Sequence, residues 1–414
     1  MDSIHICGGY PLHGSVRIQG SKNAVLPVLA ATLLVEGKVT LCNCPRIADV
    51  LCMVELLRSV GCHVEQEGGR ITVDASSVAG SSLPQQYVTQ MRSSAVMMGA
   101  ILGRKGRVSI SYPGGCVIGK RPIDIHLQAF SRLGVLFEEA GNSLTAWAEK
   151  LWGNEITLAF PSVGATENSI LAAVLAEGET VIHNAAREPE IGALCEFLVC
   201  AGAQIHREEA GRRIRIRGVR RLHSCRYCIP CDRIVAGTYL FGCMAAGGEI
   251  SLTEADAGQL EAVLSVIRQM GGVLDCGKRE IRLRAPERPL PVPYLKTEVY
   301  PGYPTDLQSQ LLAALALADG ESVVEETIFE NRFRAVAGLR QMGACMGIDA
   351  SCVRIRGVKE LHGARVAAEE LRGGAALCMA ALAAKGDTYI TGRHFIDRGY
   401  ETLEQDIRSL GGRI

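Results

Sequence analysis

A repeat constrains this chain more than any other feature. An alanine-rich apolar helix followed by glycine recurs six times, at Gly37, Gly106, Gly178, Gly248, Gly320 and Gly386. The period is about 70 residues, longer than solenoid units. A short β-type run follows each glycine: Val39-Thr40-Leu41, Val108-Ser109-Ile110, Thr180-Val181-Ile182, Glu249-Ile250-Ser251, Ser322-Val323-Val324 and Thr388-Tyr389-Ile390. Later in each copy a second amphipathic helix stops at Gly61, Gly134, Gly202, Gly271, Gly343 or Gly411, where glycine serves as a C-terminal cap. Most copies then add a strand or two, such as His63-Val64-Glu65 with Ile71-Thr72-Val73. Each copy reads helix, strand, helix, strand, strand, the alternation of an α/β protein. So small a copy buries little apolar surface alone, and its helices and sheet must pack on sister copies. Six copies in 414 residues suggest two domains of three.

The charge balance excludes some functions. Lys+Arg and Asp+Glu both total 44, so no overall basic field exists to hold nucleic acid, and any anion must be bound by local arginines. The start, Met-Asp-Ser-Ile-His-Ile-Cys-Gly-Gly-Tyr, lacks a basic region followed by an apolar run. No stretch approaches the ~18 apolar residues of a membrane span. A cytoplasmic protein without a membrane partner is expected. The 16 cysteines are scattered through apolar segments, which reads as reduced, mostly buried thiols.

Several segments could carry chemistry. Pro113 to His126 sets Cys116 in a glycine-rich loop ahead of Lys120, Arg121, Asp124 and His126; the basic neighbours favour a thiolate or a bound anion. The same Pro-Gly-Gly also fits an ordinary turn. Gly20-Ser21-Lys22-Asn23 opens an apolar helix and places Lys22 at an anion-favouring N-terminus, or else Ser21 or Asn23 merely caps the helix beside a solvated lysine. Tyr300 to Leu307 presents Asp306 at another helix entrance, as an N-cap or first-turn acid, or as a general base. Arg332, between Phe329 and Phe333, and Arg398, beside Gly399, suit planar anion contacts. Cys225, Cys228 and Cys231 have metal-ligand spacing, but a fourth ligand beyond His223 is not obvious.

Assembled in order, these motifs resemble the UDP-N-acetylglucosamine 1-carboxyvinyltransferases, a family of enolpyruvyl transferases, over essentially the whole chain. The resemblance rests on Gly20 to Asn23, Met91-Arg92-Ser93, Pro113 to His126, Pro161 to Thr166, Asn184 to Glu190, Pro304-Thr305-Asp306, Phe329 to Phe333 and Asp397 to Glu401. The 3-phosphoshikimate 1-carboxyvinyltransferases share the repeat but not the Pro-Gly-Gly-Cys loop, and are the alternative. A weakly active or regulatory paralogue is another, against which intact Lys22, Asn23, Cys116, Asp306 and Arg398 argue.

The resemblance implies an inside-out α/β barrel of two domains, residues 22–230 and residues 1–21 with 231–414, closing over a cleft. It implies transfer of the enolpyruvyl group of phosphoenolpyruvate to the 3'-hydroxyl of UDP-N-acetylglucosamine without metal or organic cofactor. Cys116 would be the general acid and the target of the epoxide fosfomycin, and Asp306 the base. Lys22, Asn23, Arg121 and Arg398 would hold phosphoenolpyruvate. Arg92, Arg121, Pro122, Ile123, Asp124, His126, Ser162, Val163, Gly164, Asp306 and Ile328 would line the nucleotide-sugar site, with Arg332 a further anion contact. The chain departs from the family at Glu370-Leu371-Arg372, where Asp-Leu-Arg is usual. The oligomeric state stays open, a monomer being compatible with everything above.

Overall fold

The computed structural model describes residues 3–112 and 123–414. They divide into two compact units, one of residues 20–112 with 123–230, the other of residues 3–19 with 231–414. Each has its own apolar core, and the two cores share no residue.

In the first unit the main helices are α1 (Lys22–Ala31), α2 (Ala48–Ser59), α3 (Met97–Lys105), α4 (Asp124–Arg132), α5 (Val163–Ala173) and α6 (Pro189–Cys200). In the second they are α7 (Arg233–Ala246), α8 (Glu261–Gln269), α9 (Gln308–Leu315), α10 (Ala335–Gln341), α11 (Leu371–Ala383) and α12 (Leu403–Ser409). The odd-numbered helices are the alanine-rich ones. They are buried over most of their length, and so are polar residues that some of them carry, among them Asn168 of α5 and Gln310 of α9. α3 packs on α5, and α7, α9 and α11 pack on one another. The even-numbered helices keep one face on the core and one in solvent.

Each copy also supplies a sheet. In the first copy Lys38–Cys42 pairs antiparallel with Arg70–Asp74, which pairs with His63–Glu67, while Arg226–Cys228 joins the other edge in parallel. The same antiparallel trio recurs as Arg107–Ser111 with Ser143–Trp147 and Leu136–Ala140, and as Glu179–His183 with Arg213–Arg217 and Gln204–Glu208. In the second unit it recurs as Gly248–Thr253 with Glu280–Arg284 and Val273–Cys276, and as Glu321–Glu325 with Cys352–Arg356 and Cys345–Asp349. In the last copy Gly386–Thr391 pairs antiparallel instead with Ser3–Gly8, far away in sequence.

All twelve landmark glycines have positive φ, from 69° to 149°, which explains why that residue type marks the period. The expectation that the alanine-rich helix ends at its glycine needs correcting. Only at Gly106 is the landmark itself the C-cap, of α3. α1 stops at Ala31, because a 3-10 turn, Thr32–Leu34, and an extended pair, Val35–Glu36, that hydrogen-bonds with Leu222–His223 intervene before Gly37.

The cysteines also depart from expectation. None of the fifteen described cysteines forms a disulfide, but only Cys44, Cys62, Cys195, Cys243 and Cys378 are buried. Many of the others lie on strands or at helix ends whose outer side meets solvent. Among the described residues no group of three or more His, Cys, Asp or Glu side chains could hold a metal ion. No helix among them is long and apolar enough to cross a membrane.

Small residues set how closely the central helices approach. A Cβ added at Gly99 of α3 would lie 2.4 Å from the Asn168 carbonyl oxygen of α5. Overpacking of this kind costs about 1–3 kcal/mol, so Gly99→Ala should lower the denaturation midpoint accordingly. An unchanged midpoint would mean that α3 and α5 are free to move apart.

Candidate active site

In the first unit, Ser21 caps α1, its Oγ accepting from Ala24 N at 3.3 Å. Lys22 is therefore the first helical residue, at the positive end of the helix dipole, where a cation is disfavoured. Asp49, in the first turn of α2, offsets this with an ion pair at 2.8 Å, and both side chains are buried. The Ser21 cap expected from sequence is present, but the solvated lysine that went with it is not. Asn23 follows on a half-buried position of α1.

The second cluster of this unit is built around Asn168, buried within α5. Its Oδ1 accepts from Gly99 N at 2.7 Å, and its Nδ2 donates to Ala95 O at 3.0 Å and to His126 Nδ1 at 2.9 Å. Because Nδ2 has only hydrogens to give, His126 Nδ1 is an acceptor and its proton sits on Nε2. Burial, helped by the Arg92 charge and opposed by Asp124, pushes the His126 pKa down to about 4, so the imidazole is neutral. Gly164 lies against this ring, since a Cβ there would be 3.0 Å from His126 Cε1. Ser162 caps α5 through Ala165 N, and Val163 is the first residue of that helix. Thr166 Oγ1 donates to Ser162 O at 2.8 Å and accepts from Ala186 N at 3.0 Å, which joins the Pro161–Thr166 and Asn184–Glu190 segments. Burial, with Glu190 and Glu188 nearby, raises Glu167 well above the usual carboxylate range. Arg92 is half-buried, Ile123 is buried and Asp124 is exposed in the first turn of α4. Cys116, Arg121 and Pro122 lie outside the described residues.

In the second unit the centre is Asp306, in the 3-10 turn Thr305–Leu307 ahead of α9. It is the N-cap of neither that turn nor α9 but does stand in the first turn as its acid, the other form of the structural reading. Arg332 Nη2 donates to its Oδ1 at 2.6 Å and Arg372 Nη2 to its Oδ2 at 2.9 Å. Both arginines are only 3% exposed. Burial works against the charge of Arg372, but Asp306, Tyr400 and Asp232 outweigh it and hold the group protonated. Arg332, expected as an anion contact, is thus occupied in fixing Asp306.

Glu370 is the N-cap of α11. Its Oε2 accepts from Arg372 N at 2.8 Å, its Oε1 accepts from Gly373 N, and Arg332 Nη1 lies 3.7 Å from Oε2. The methylene that distinguishes it from aspartate is absorbed by folding the carboxylate back onto its own helix. Gly373 makes the room, for a Cβ there would sit 2.6 Å from Glu370 Oε1. With both oxygens on the first turn of α11, Glu370 orients the backbone that carries Arg372 and lies beside Arg332.

The neighbouring loops are fixed by two buried residues that sequence inspection missed. Glu326 accepts from Thr297 Oγ1 and Thr305 Oγ1, each at 2.9 Å, and from the N–H groups of Ile328 and Phe329. It therefore holds Ile328 and the turn carrying Asp306 to one another. Gln19 Nε2 donates to Gly399 O at 3.0 Å and its Oε1 accepts from Glu401 N at 2.8 Å, clamping the turn that presents half-buried Arg398. Tyr400 is locked by its hydroxyl against Thr238 Oγ1 at 2.8 Å. Asp49, Asn168, Glu326 and Gln19 share no local motif with the residues they support, and only burial after folding reveals them.

The fold and these sites define a class. The family model for EPSP synthase (3-phosphoshikimate 1-carboxyvinyltransferase) matches residues 6–407. The solved enolpyruvyl transferase NikO from Streptomyces tendae superposes with a TM-score of 0.89 at 25% identity, over 99% of this chain and 97% of that one. EPSP synthase from Acinetobacter baumannii has the same fold, with a TM-score of 0.76 at 18% identity, over 99% of this chain and 98% of its own. The chain belongs to the enolpyruvyl transferase family. It is 46% identical to UDP-N-acetylglucosamine 1-carboxyvinyltransferase 2 of Caldanaerobacter subterraneus subsp. tengcongensis and 41% identical to UDP-N-acetylglucosamine 1-carboxyvinyltransferase of Nitratidesulfovibrio vulgaris, in each case over 100% of this chain and 99% of the relative.

His126 gives this site a pH signature. Its native pKa lies below the ordinary 6.5, so below that pH the unfolded chain binds the proton first. The stabilisation is complete above pH ~6.5, declines as pH falls and is lost by about pH 4, on the order of 3 kcal/mol in all. Thermal unfolding followed across this window should show a smaller acid loss in His126→Gln than in the parent. Parallel curves for the two proteins would contradict the neutral, buried imidazole.

Proposed function

We propose that the chain transfers the enolpyruvyl group of phosphoenolpyruvate to the 3'-hydroxyl of UDP-N-acetylglucosamine with release of phosphate, the first committed step of peptidoglycan biosynthesis, in the cytoplasm. The observation that carries this reading is full-length identity of 41–46% with enzymes of that name. The same reading takes each unit as an inside-out α/β barrel of three copies about a pseudo-threefold axis.

The reaction needs a base, an acid and a cradle for two anions. Asp306 takes the proton of the 3'-hydroxyl as that oxygen adds to C2 of phosphoenolpyruvate. Its two oxygens accept from Arg332 and Arg372, which fixes the direction in which the carboxylate points. Cys116 gives its thiol proton to C3, which becomes a methyl group in a tetrahedral intermediate. Phosphate then leaves C2 while C3 gives up a proton, and the carbon–carbon double bond returns. Lys22, Asn23, Arg121 and Arg398 hold the phosphate and carboxylate, stabilising charge where it develops. Lys22 and Arg398 are well suited because Asp49 and Gln19 fix their surroundings before substrate arrives. Arg92, Arg121, Pro122, Ile123, Asp124, His126, Ser162, Val163, Gly164 and Ile328 bind the nucleotide sugar. The neutral His126, with its proton on Nε2, serves as a hydrogen-bond donor there. No metal takes part in these steps.

The shikimate-type reaction is the competing reading, since the matching family model bears that name. Phosphate release from phosphoenolpyruvate should occur with UDP-N-acetylglucosamine as acceptor and stay at background with shikimate 3-phosphate. The reverse preference would overturn the proposal. Fosfomycin should label Cys116 among the 16 thiols, faster with UDP-N-acetylglucosamine present. Peptide mapping that finds the label mainly at Cys225, Cys228 or Cys231 would remove Cys116 from the mechanism.

A further inference from the structure

The cysteine-rich segment before Pro230 is not used by the proposed reaction, and its surroundings give it another role. Cys200 ends α6 and is exposed, while Cys225 is half-buried just before the strand Arg226–Cys228. Cys200 Sγ donates to Arg226 O at 3.7 Å, and the Cys200 and Cys225 thiols are in direct side-chain contact. The two backbones are pinned together around this contact. His223 N donates to Ala201 O at 2.9 Å, and Tyr227 Oη donates to Glu196 Oε2 at 3.3 Å. Phe197 and Tyr227 meet edge to face with ring centres 5.8 Å apart. On its other side Cys225 is fixed by its carbonyl oxygen, which accepts from Thr40 N at 3.0 Å. Two thiols in contact, on segments that independent contacts hold side by side, meet the first requirement of a disulfide.

We propose that Cys200 and Cys225 form a reversible disulfide by exchange with a low-molecular-weight disulfide. The exposed Cys200 thiolate attacks one sulfur of the small disulfide and expels a thiolate, leaving a mixed disulfide on Cys200. Cys225 then loses its proton to solvent and attacks Cys200 Sγ, expelling the second small thiolate. Two protein thiols are oxidised and one external disulfide is reduced to two thiols. Burial and the neighbouring Cys200 push the Cys225 thiol up to about 12, so the second step is the slow one and quickens as pH rises. The bond would staple the last turn of α6 to the segment that runs to Pro230. It also accounts for a cysteine of the Cys-x-x-Cys-x-x-Cys motif without a metal.

The test is to incubate the full chain with oxidised glutathione at several pH values, trap free thiols with iodoacetamide and map the peptides. The expected product is a Cys200–Cys225 cross-linked pair, two hydrogens lighter than the reduced peptides, reversed by dithiothreitol and formed faster at higher pH. In Cys200→Ser, Cys225 should remain alkylatable, while Cys42→Ser should leave the link intact. A glutathione adduct that persists on Cys200 without closing would overturn the proposal. So would a first link between Cys42 and Cys228, which face each other in neighbouring strands, or equal oxidation of Cys225 in Cys200→Ser. Circular dichroism of each variant shows that the chain tested is folded.

Discussion

A carboxylate held between two buried guanidinium groups organises the second unit. Asp306 engages Arg332 with one oxygen and Arg372 with the other, and each arginine arrives from a different part of the chain. Removing one member of such a buried set costs about 3–5 kcal/mol, because the remaining charges lose their partner. The surrounding polar contacts keep the set together. Glu370 caps the helix from which Arg372 projects, and Glu326 ties the Asp306 turn to the Ile328 loop. Tyr400, which helps hold Arg372 protonated, is anchored on Thr238 of α7. The carboxylate is thereby aimed before any substrate binds, and preorganisation of this kind avoids reorganisation during the reaction.

The two units solve the same structural problem with different chemistry. Each buries three alanine-rich helices, and each must satisfy the N–H groups at their first turns. Side-chain caps do this for two of the three, Ser21 and Ser162 in the first unit, Asp232 and Glu370 in the second, while α3 and α9 each follow directly on a 3-10 turn. The neutral caps stand where Lys22 and neutral His126 are found. The acidic caps precede Arg233 and Arg372, and the Asp232 charge helps hold Arg372 protonated.

The architecture was largely legible because its signals are local. A glycine at positive φ and an apolar run must occur in the segment that uses them, so a period of such landmarks survives in the bare sequence. Candidate residues such as Lys22, Asp306 and Arg398 were legible by type and setting. Their partners were not, because the contacts are tertiary: Gln19 and Gly399, for example, lie 380 residues apart. For the same reason nothing near Arg332 in sequence reveals its contact with Asp306. Cysteine burial was misjudged because an apolar neighbourhood in sequence does not say which side of a strand faces the core.

The central claim is that the clamped carboxylate of Asp306 receives the acceptor's proton, and Asp306→Asn tests it most directly. The amide keeps the size and one acceptor oxygen but is a far weaker base, so turnover should fall by about 100-fold or more. Binding of UDP-N-acetylglucosamine, measured by calorimetry on the same preparation, should change far less. Normal turnover in Asp306→Asn would contradict the account and reduce the arginine-bound carboxylate to a structural ion pair.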